Sequence, residues 1–216
     1  LGEYSALACV GSINFEDTLK ILQKRGKFMQ EAVPNGEGAM LAVLGMASNE
    51  LDKILETNNK KYECFIANDN SNLQVVVSGL KKDINLLSDD LNNKKIKNLK
   101  LNVSAPFHCK YMKKASEKMS SYINDLKMND LEKPIISNVT AKETISSKEI
   151  KSLLISQIEK KVRWLESVEY MINNGVNNFV EIGPGKVLSG LIKRINKNVN
   201  VISINSEEDI KLLVND

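Results

Sequence analysis

The order of strand-like and helix-like segments constrains the fold more than any other feature of this chain. Between residues 36 and 104 the hydrophobic patterns and turn formers predict, in order, a strand at 39–44, a helix at 49–57, strands at 62–67 and 73–78, a helix at 83–91 and a strand at 97–103. A βαββαβ order is the signature of a ferredoxin-like unit. We therefore expect residues 36–104 to form a subdomain inserted between helical segments.

The flanking segments predict an α/β protein. Residues 1–8 are helix-like, and Asn14 is positioned to cap a second helix that carries an apolar stripe of Phe15, Leu19 and Leu22 and stops near Pro34. After residue 104 the patterns predict helices at 111–126, 147–157, 162–173, 187–196 and 207–213, with strands at 133–137, 178–182 and 200–204. Such alternation favours a mostly parallel sheet with helices on both faces.

Composition excludes several classes of protein. A net charge of +3 is too small to indicate nucleic-acid binding. The short lysine pairs at 94–95, 113–114 and 160–161 fit solvated faces, or a positive rim that attracts an acidic partner. No apolar run is long enough to cross a membrane.

The cysteines and the histidine predict neither disulfides nor a metal site. Cys9, Cys64 and Cys109 form neither a disulfide framework nor a metal motif, and a single histidine leaves no usual zinc ligand set. We therefore expect no metal and a reducing compartment.

His108 is the only histidine, and it lies at a predicted strand-to-helix junction. An α/β enzyme places a general base at such a junction, and histidine does this work near neutral pH. A structural histidine with a satisfied partner is the alternative. Cys109 follows directly, but adjacent residues on an extended turn point in different directions, so we do not expect a Cys–His dyad.

The turn at residues 181–186 and the residue Arg25 each allow a functional and a purely structural interpretation. Residues 181–186 run from a strand through Gly183-Pro184-Gly185 into a helix, where glycine could cradle an anion or only allow a tight turn. The Walker spacing is absent. Arg25 lies on a predicted helix, where its planar fork suits a carboxylate, although an exposed helical arginine is usually only solvated.

Short motifs in order along the chain resemble one family. They are Leu1-Gly2-Glu3-Tyr4-Ser5-Ala6-Leu7, Arg25-Gly26-Lys27-Phe28-Met29-Gln30, Phe107-His108, Asn138 and Glu181-Ile182-Gly183-Pro184-Gly185-Lys186. Together they resemble the malonyl-CoA:acyl carrier protein transacylases, the acyltransferases of fatty-acid and polyketide synthesis, and the resemblance covers essentially the whole chain. It implies an α/β-hydrolase-like core with a parallel sheet, made of residues 1–35 and 105–216, and a ferredoxin-like subdomain of residues 36–104.

The resemblance implies an activity and its catalytic residues. The malonyl group of malonyl-CoA would pass through a Ser-bound acyl-enzyme to the phosphopantetheine thiol of acyl carrier protein, in fatty-acid biosynthesis. His108 would be the general base, Gln157 would supply the carbonyl that orients it, and the backbone N–H of Leu1 would be an oxyanion donor. Malonyl-CoA would be the substrate, no cofactor would be bound, and a cytoplasmic monomer is expected, or a plastid-type location if the source is eukaryotic.

The resemblance also implies substrate-binding residues. Arg25 would hold the malonyl carboxylate bidentately, and Phe107 would restrict the space at the α-carbon. Met29 would line the acyl pocket, or would be ordinary helix core. Asn70, in an Asn-rich turn of the insert, would lie near the carrier or the CoA arm.

One departure from the family pattern keeps other functions open. The family's nucleophilic Ser would directly precede Leu1, so we expect the 216 residues to be a fragment that is inactive alone. The alternatives are an acyltransferase domain of a larger polyketide or fatty-acid synthase, a thioesterase or hydrolase, and a carrier-protein-binding fragment without activity. The short helix after the last strand favours a free-standing enzyme.

Overall fold

The segment between residues 38 and 100 folds as a four-stranded antiparallel sheet with two helices. The structure, a computed structural model, describes residues 1–214, with only the backbone of residues 212–214. The elements of this segment are β1 (Gly38–Leu44), α3 (Ser48–Thr57), β2 (Cys64–Ser71), β3 (Gln74–Leu80), α4 (Lys81–Asn93) and β4 (Asn98–Lys100). The strands lie in the order β2-β3-β1-β4, so the two outer strands of the sheet are the second and fourth in sequence.

The two faces of this sheet are buried by different neighbours. Alternate strand residues such as Leu41 and Val77 form one cluster with α3 and α4, through side chains that include Leu51 and Leu87. This alternation follows from the two-residue period of a strand. The opposite face carries a smaller cluster, against which Phe107 packs. The sheet therefore supports the residue next to His108 from its second face.

The Asn-rich stretch is a strand, and the predicted turn at 68–72 is wrong. Strand β2 continues to Ser71, and its register shifts between Ile66 and Asn68 and again before Ser71, as at a β-bulge. The backbone N–H of Asp69 donates to the carbonyl of Val162 at 2.9 Å. Because bulges and this distant pairing accommodate the stretch, its turn propensity is overridden. The strand predicted at 97–103 is also shorter, Asn98–Lys100.

Four helices surround the main hydrophobic core. They are α1 (Gly2–Cys9), α2 (Phe15–Gln30), α5 (Lys113–Asp125), which follows a 3-10 turn at Lys110–Met112, and α6 (Ser147–Ser156). Their buried side chains include Leu7, Ile21, Met119 and Leu154. As predicted, Asn14 caps α2, because its Oδ1 accepts the backbone N–H of Asp17 at 2.8 Å.

The predicted apolar stripe of α2 is wrong for Phe15 and Leu19, whereas Leu22 packs against the main core. Phe15 is 73% exposed and Leu19 is 53% exposed, whereas Thr18, Ile21 and Met29 are buried. The buried series continues with helical spacing through position 25, which lies between Ile21 and Met29. Arg25 is thus carried on the buried side of α2, which argues against the solvated interpretation.

The rest of the chain contains two small sheets. Strands β5 (Ile135–Ile136) and β6 (Glu143–Thr144) pair antiparallel, so the strand predicted at 133–137 does not belong to a parallel sheet. The chain reverses directly after β5, where the N–H of Ser137 donates to the carbonyl of Lys142 at 3.0 Å. Strands β7 (Asn178–Ile182) and β8 (Asn200–Ile204) pair in parallel, as predicted. The α/β class is confirmed.

Contacts divide the chain into two compact units, Leu1–Trp164 and Leu165–Asp216. The second unit contains β7, β8, α8 (Val187–Ile195) and α9 (Glu207–Val214), and α7 (Trp164–Asn173) begins at the boundary. No helix among residues 1–214 has both the length and the apolar character needed to cross a membrane.

Candidate active site

His108 lies in the loop between β4 and the 3-10 turn, and its backbone is strained. Its φ of 60° is in the left-handed region, which is unfavourable for a residue with a Cβ. Such conformations cost about 1–3 kcal/mol and concentrate at functional sites. The geometry of this loop favours the chemical interpretation of His108.

The His108 ring is held by a backbone carbonyl. Its Nδ1 lies 2.9 Å from the carbonyl oxygen of Gln157, which follows α6. Because a carbonyl can only accept, Nδ1 carries the proton and the neutral ring keeps its lone pair on Nε2. The structure therefore brings together two of the predicted catalytic residues in the orientation that a general base requires.

The His108 ring is neutral at physiological pH. Burial lowers the pKa of His108 to about 4, the Gln157 carbonyl opposes this shift, and the positive charge of Arg25 reinforces it. Gln157 contacts both His108 and Arg25, so three residues from separate parts of the sequence share one site.

Arg25 presents a guanidinium that is only partly satisfied. Its Nη2 donates to Oε1 of Gln157 at 3.2 Å, and its guanidinium carbon lies 5.8 Å from the centroid of the Tyr4 ring. Its Nε is buried and finds no hydrogen-bond partner among the described residues. Burial lowers the pKa of Arg25, yet a guanidinium stays protonated in proteins. A buried cation with an unused donor is suited to bind an anion.

A buried carboxylate completes the network, and the sequence reasoning missed it. Glu3 is 6% exposed, and its Oε2 accepts hydrogen bonds from Nε2 of Gln157, from Nδ2 of Asn138 at 2.8 Å and from the Asn138 backbone N–H at 3.3 Å. A signal was available, because Glu3 and Leu7 are four residues apart and share the buried face of α1. Burial raises the pKa of Glu3, and the hydrogen bonds from Asn138 and Gln157 oppose that rise.

The remaining predicted substrate-binding residues are dispersed. Phe107 borders a small cavity of about 330 Å³ with Gln30 and Ser104. Met29 is 4% exposed within the main core, which favours the plain helix-core interpretation. Asn70 lies in β2 and not in a turn.

A groove opens beside His108. Its volume is about 620 Å³. Its lining includes His108, Glu63, Phe65, Lys110, Lys160 and Lys161. The lysine pair at 160–161 therefore lies beside the site, but Asp52, Glu56 and Glu159 also line the groove, so its lining does not decide between a positive rim and a solvated face.

Cysteine and metal chemistry find little support. The thiol of Cys109 points to the carbonyl of Pro106 at 3.1 Å, and burial raises its pKa, so it is not a thiolate. Among residues 1–214 no group of three or more His, Cys, Asp and Glu side chains could hold a metal ion.

At the glycine-rich turn of the second unit, a carboxylate of the protein itself binds the N-terminus of the following helix. The Glu181 carboxylate accepts the backbone N–H groups of Leu188 at 3.0 Å and Ser189 at 2.7 Å, in the first turn of α8. Gly183 and Gly185 have φ values of 136° and 96°, which a side chain would disfavour. The turn-geometry interpretation is therefore preferred, because a side chain of the protein occupies the helix N-terminus.

Comparison with known proteins identifies the family. Residues 1–206 match the acyl transferase domain family, so the chain belongs to that family. The relatives that it matches are malonyl CoA-acyl carrier protein transacylases, as the sequence predicted. The chain is 42% identical to that of Bacillus subtilis strain 168 over 219 residues, which cover 99% of this chain and 68% of the relative.

Solved structures agree with this assignment. The crystal structure of a malonyl CoA-acyl carrier protein transacylase from Clostridium perfringens matches with a TM-score of 0.94 and 41% identity, covering 99% of this chain and 68% of the other. A malonyl-transacylase solved in complex with a type II PKS acyl-carrier protein matches with a TM-score of 0.93 and 35% identity, covering 99% and 70%.

Proposed function

We propose that this chain belongs to an enzyme that transfers the malonyl group of malonyl-CoA to acyl carrier protein in fatty-acid biosynthesis. The observation that carries the proposal is the pair of contacts made by Gln157. Its backbone oxygen holds Nδ1 of His108 at 2.9 Å, and its side-chain Oε1 holds Arg25 at 3.2 Å. One residue thus joins a poised general base to a receptor for a carboxylate.

The proposed mechanism is a two-step acyl transfer. The resemblance places the nucleophilic Ser directly before Leu1. Nε2 of His108 takes the Ser proton while the oxygen attacks the thioester carbonyl carbon, and the tetrahedral intermediate collapses with loss of CoA thiolate, which takes the proton from the imidazolium. In the second step the phosphopantetheine thiol gives its proton to His108 and attacks the malonyl ester. The Ser–O bond to the acyl carbon breaks, and Ser is reprotonated by the imidazolium.

Leu1 and Gln157 stabilise charge in this scheme. The backbone N–H of Leu1 would donate to the developing oxyanion, and loss of one such donor typically costs about 2.7–4 kcal/mol. The Gln157 carbonyl is neutral and therefore stabilises the imidazolium less than the aspartate of a hydrolase triad does. No cofactor takes part in these steps.

Arg25 would select acyl groups that bear a carboxylate. The unused Nε and the Nη groups could receive the two malonyl oxygens as a fork. A neutral acyl group such as acetyl would leave a buried cation unpaired, which is penalised. Phe107 would limit space at the α-carbon, and Asn70 would lie toward the carrier or the CoA arm.

The finer architecture is part of the proposal. We assign residues 1–35 and 105–216 to an α/β-hydrolase-like core, and residues 36–104 to a ferredoxin-like insert. The strand order β2-β3-β1-β4 supports the insert assignment. The free thiols of Cys9, Cys64 and Cys109 support a reducing, cytoplasmic location for a monomeric enzyme.

The proposal is tested by replacing the base in the complete natural enzyme. His108→Ala is expected to reduce transfer of radiolabelled malonyl to acyl carrier protein by about 10²–10⁴, the usual contribution of a general base. A matched control is Lys60→Ala, an exposed position in a loop after α3. A loss smaller than about tenfold for His108→Ala would remove His108 from the mechanism.

A further inference from the structure

We propose that Glu3 is a positioning residue of this site, because its carboxylate fixes which way the Gln157 amide faces and thereby aims the guanidinium of Arg25. The inference rests on the proposed function, and it names the residue that makes the carboxylate receptor of that function selective. Glu3 acts through Gln157, and the described contacts give it no direct hydrogen bond to Arg25.

The geometry around Glu3 leaves the Gln157 side chain one orientation. Oε2 of Glu3 already accepts two hydrogen bonds from Asn138 and is therefore an accepting oxygen, so the end of the Gln157 amide that meets it must be the donating Nε2. The accepting Oε1 is consequently turned to Arg25, where it receives Nη2 at 3.2 Å. With the amide reversed, an NH₂ group would face a guanidinium, and two donors would oppose each other.

Burial makes this constraint strong. Gln157 is 1% exposed and Glu3 is 6% exposed, so water cannot readily replace a lost partner. Two donors of Asn138 hold the same oxygen of Glu3, at 2.8 and 3.3 Å, and prevent the carboxylate from turning away. The fixed Glu3 carboxyl group therefore determines the orientation of the Gln157 side-chain amide.

Helix α1 guides the guanidinium from a second direction. Tyr4, the neighbour of Glu3, is fully buried, and its ring centroid lies 5.8 Å from the guanidinium carbon of Arg25. The amide of Gln157 fixes one edge of the guanidinium, and the ring of Tyr4 lies against it. The buried Nε has no hydrogen-bond partner among the described residues.

The two contacts of Gln157 allow selectivity to be separated from base catalysis. His108 is held by the backbone oxygen of Gln157, whereas Arg25 is held by the side-chain amide that Glu3 orients. Replacing the carboxyl group of Glu3 should therefore disturb Arg25 more than His108. Glu3→Gln retains the size of the side chain but can present either a donor or an acceptor to Gln157, so the orientation of the amide is no longer determined.

The test is a competition between malonyl-CoA and acetyl-CoA for transfer to acyl carrier protein by the complete enzyme. The ratio of the two kcat/KM values does not depend on the fraction of enzyme that is folded. Glu3→Gln is expected to lower the malonyl-to-acetyl ratio roughly tenfold or more, through a higher KM for malonyl-CoA, since an oriented hydrogen bond to a charged group is lost. Glu3→Asp, which keeps the charge but shortens the side chain, should lie between wild type and Glu3→Gln.

Glu16→Gln is the matched control for Glu3→Gln. Glu16→Gln removes an exposed carboxylate on α2 that pairs with Lys20 at 2.7 Å, and it should leave the ratio unchanged. If Glu3→Gln lowers both substrates in parallel, or leaves the ratio at the wild-type value, Glu3 is structural and the inference is overturned. If Glu3→Gln does not fold, the ratio of Glu3→Asp decides by the same criterion. Absence of malonyl transfer by the wild-type enzyme would instead overturn the proposed function, and the inference with it.

Discussion

At the scale of single residues, we propose that Arg25 decides which acyl group the site accepts. Its guanidinium is partly buried, donates to Gln157 and has an Nε without a hydrogen-bond partner in the described part of the chain. Arg25→Ala is expected to reduce kcat/KM for malonyl-CoA by about tenfold or more, while the value for acetyl-CoA is unchanged or rises. Steady-state transfer assays with both substrates measure this difference.

A conservative variant sharpens the prediction for Arg25. Arg25→Lys should also select poorly, because a point charge cannot reproduce a bidentate fork. Lys24→Ala, next to Arg25 and directed to the Tyr122 ring at 4.3 Å, is the matched control and should leave selectivity unchanged. Equal losses for malonyl and acetyl in Arg25→Ala would show that Arg25 is not the carboxylate receptor.

The pKa of His108 predicts an unusual pH profile. Burial lowers this pKa from 6.5 to about 4, so the imidazole stays neutral throughout the interval between those values. A general base works only when it is unprotonated, so kcat/KM should be maintained as the pH falls through 6.5 and should decrease only toward about pH 4. An acid limb centred near 6.5 would show that the ring is not desolvated in the working enzyme.

The same shift predicts how stability depends on pH. The unfolded chain binds a proton at His108 below its ordinary pKa of 6.5, whereas the folded state remains unprotonated down to about 4. Stability should therefore decline as the pH falls through this interval, since the unfolded state binds more protons there. Denaturant unfolding at several pH values measures this, and the decline should be smaller in His108→Gln.

At the scale of elements, a surface clamp connects strand β2 to the His108 loop. Glu63, directly before β2, accepts hydrogen bonds from Lys110 Nζ and Tyr111 Oη, both at 2.6 Å. The hydrogen bonds from Lys110 and Tyr111 lower the pKa of Glu63. Because this clamp follows the strained His108 by only two to three residues, it helps to hold the loop in its left-handed conformation.

Removing the clamp should reduce activity without changing selectivity. In Glu63→Ala the malonyl and acetyl rates are expected to fall together by a few-fold, since a solvent-exposed pair contributes at most about 1 kcal/mol. Glu117→Ala, an exposed residue with only a 3.9 Å contact to Lys113, is the control. A change in the malonyl-to-acetyl ratio in Glu63→Ala would place Glu63 at the acyl group and not at the loop.

Local sequence pattern predicts the order of the elements better than their extent and orientation. The order of strands and helices between residues 38 and 100 was predictable, because alternation and helical spacing are local properties. The extent of β2 was not, because its Asn-rich part is supported by Val162, far along the chain. The apolar residues of α2 fit more than one face, and only tertiary packing selects the face that carries Ile21 and Met29.

Within the site, local pattern identified the groups but not their partners. His108 could be proposed because it is the only histidine and adjoins a junction. Its contact with Gln157 spans 49 positions, and the contact of Glu3 with Gln157 spans 154. Pairings at such separations depend on the complete fold, so the sequence could indicate that Glu3 is buried but not which residues it contacts.

At the scale of the whole molecule, family membership and site geometry agree on acyl transfer. The acyl transferase domain match extends over residues 1–206, which include the whole first unit and most of the second. The contacts that join His108, Gln157, Arg25 and Glu3 all lie within the unit Leu1–Trp164. We therefore propose that acyl selection and base catalysis belong to that unit.

The most direct test of the proposed acyl transfer follows radiolabelled malonyl groups through the reaction. The complete enzyme is loaded with radiolabelled malonyl-CoA, the labelled protein is isolated, and holo-acyl carrier protein is added. If the proposed acyl transfer is correct, the label becomes bound to the enzyme and then moves to the carrier thiol faster than it appears as free malonate. Release of the label mainly as malonate would indicate a hydrolase, and a failure to label the enzyme at all would contradict acyl-enzyme catalysis by this site.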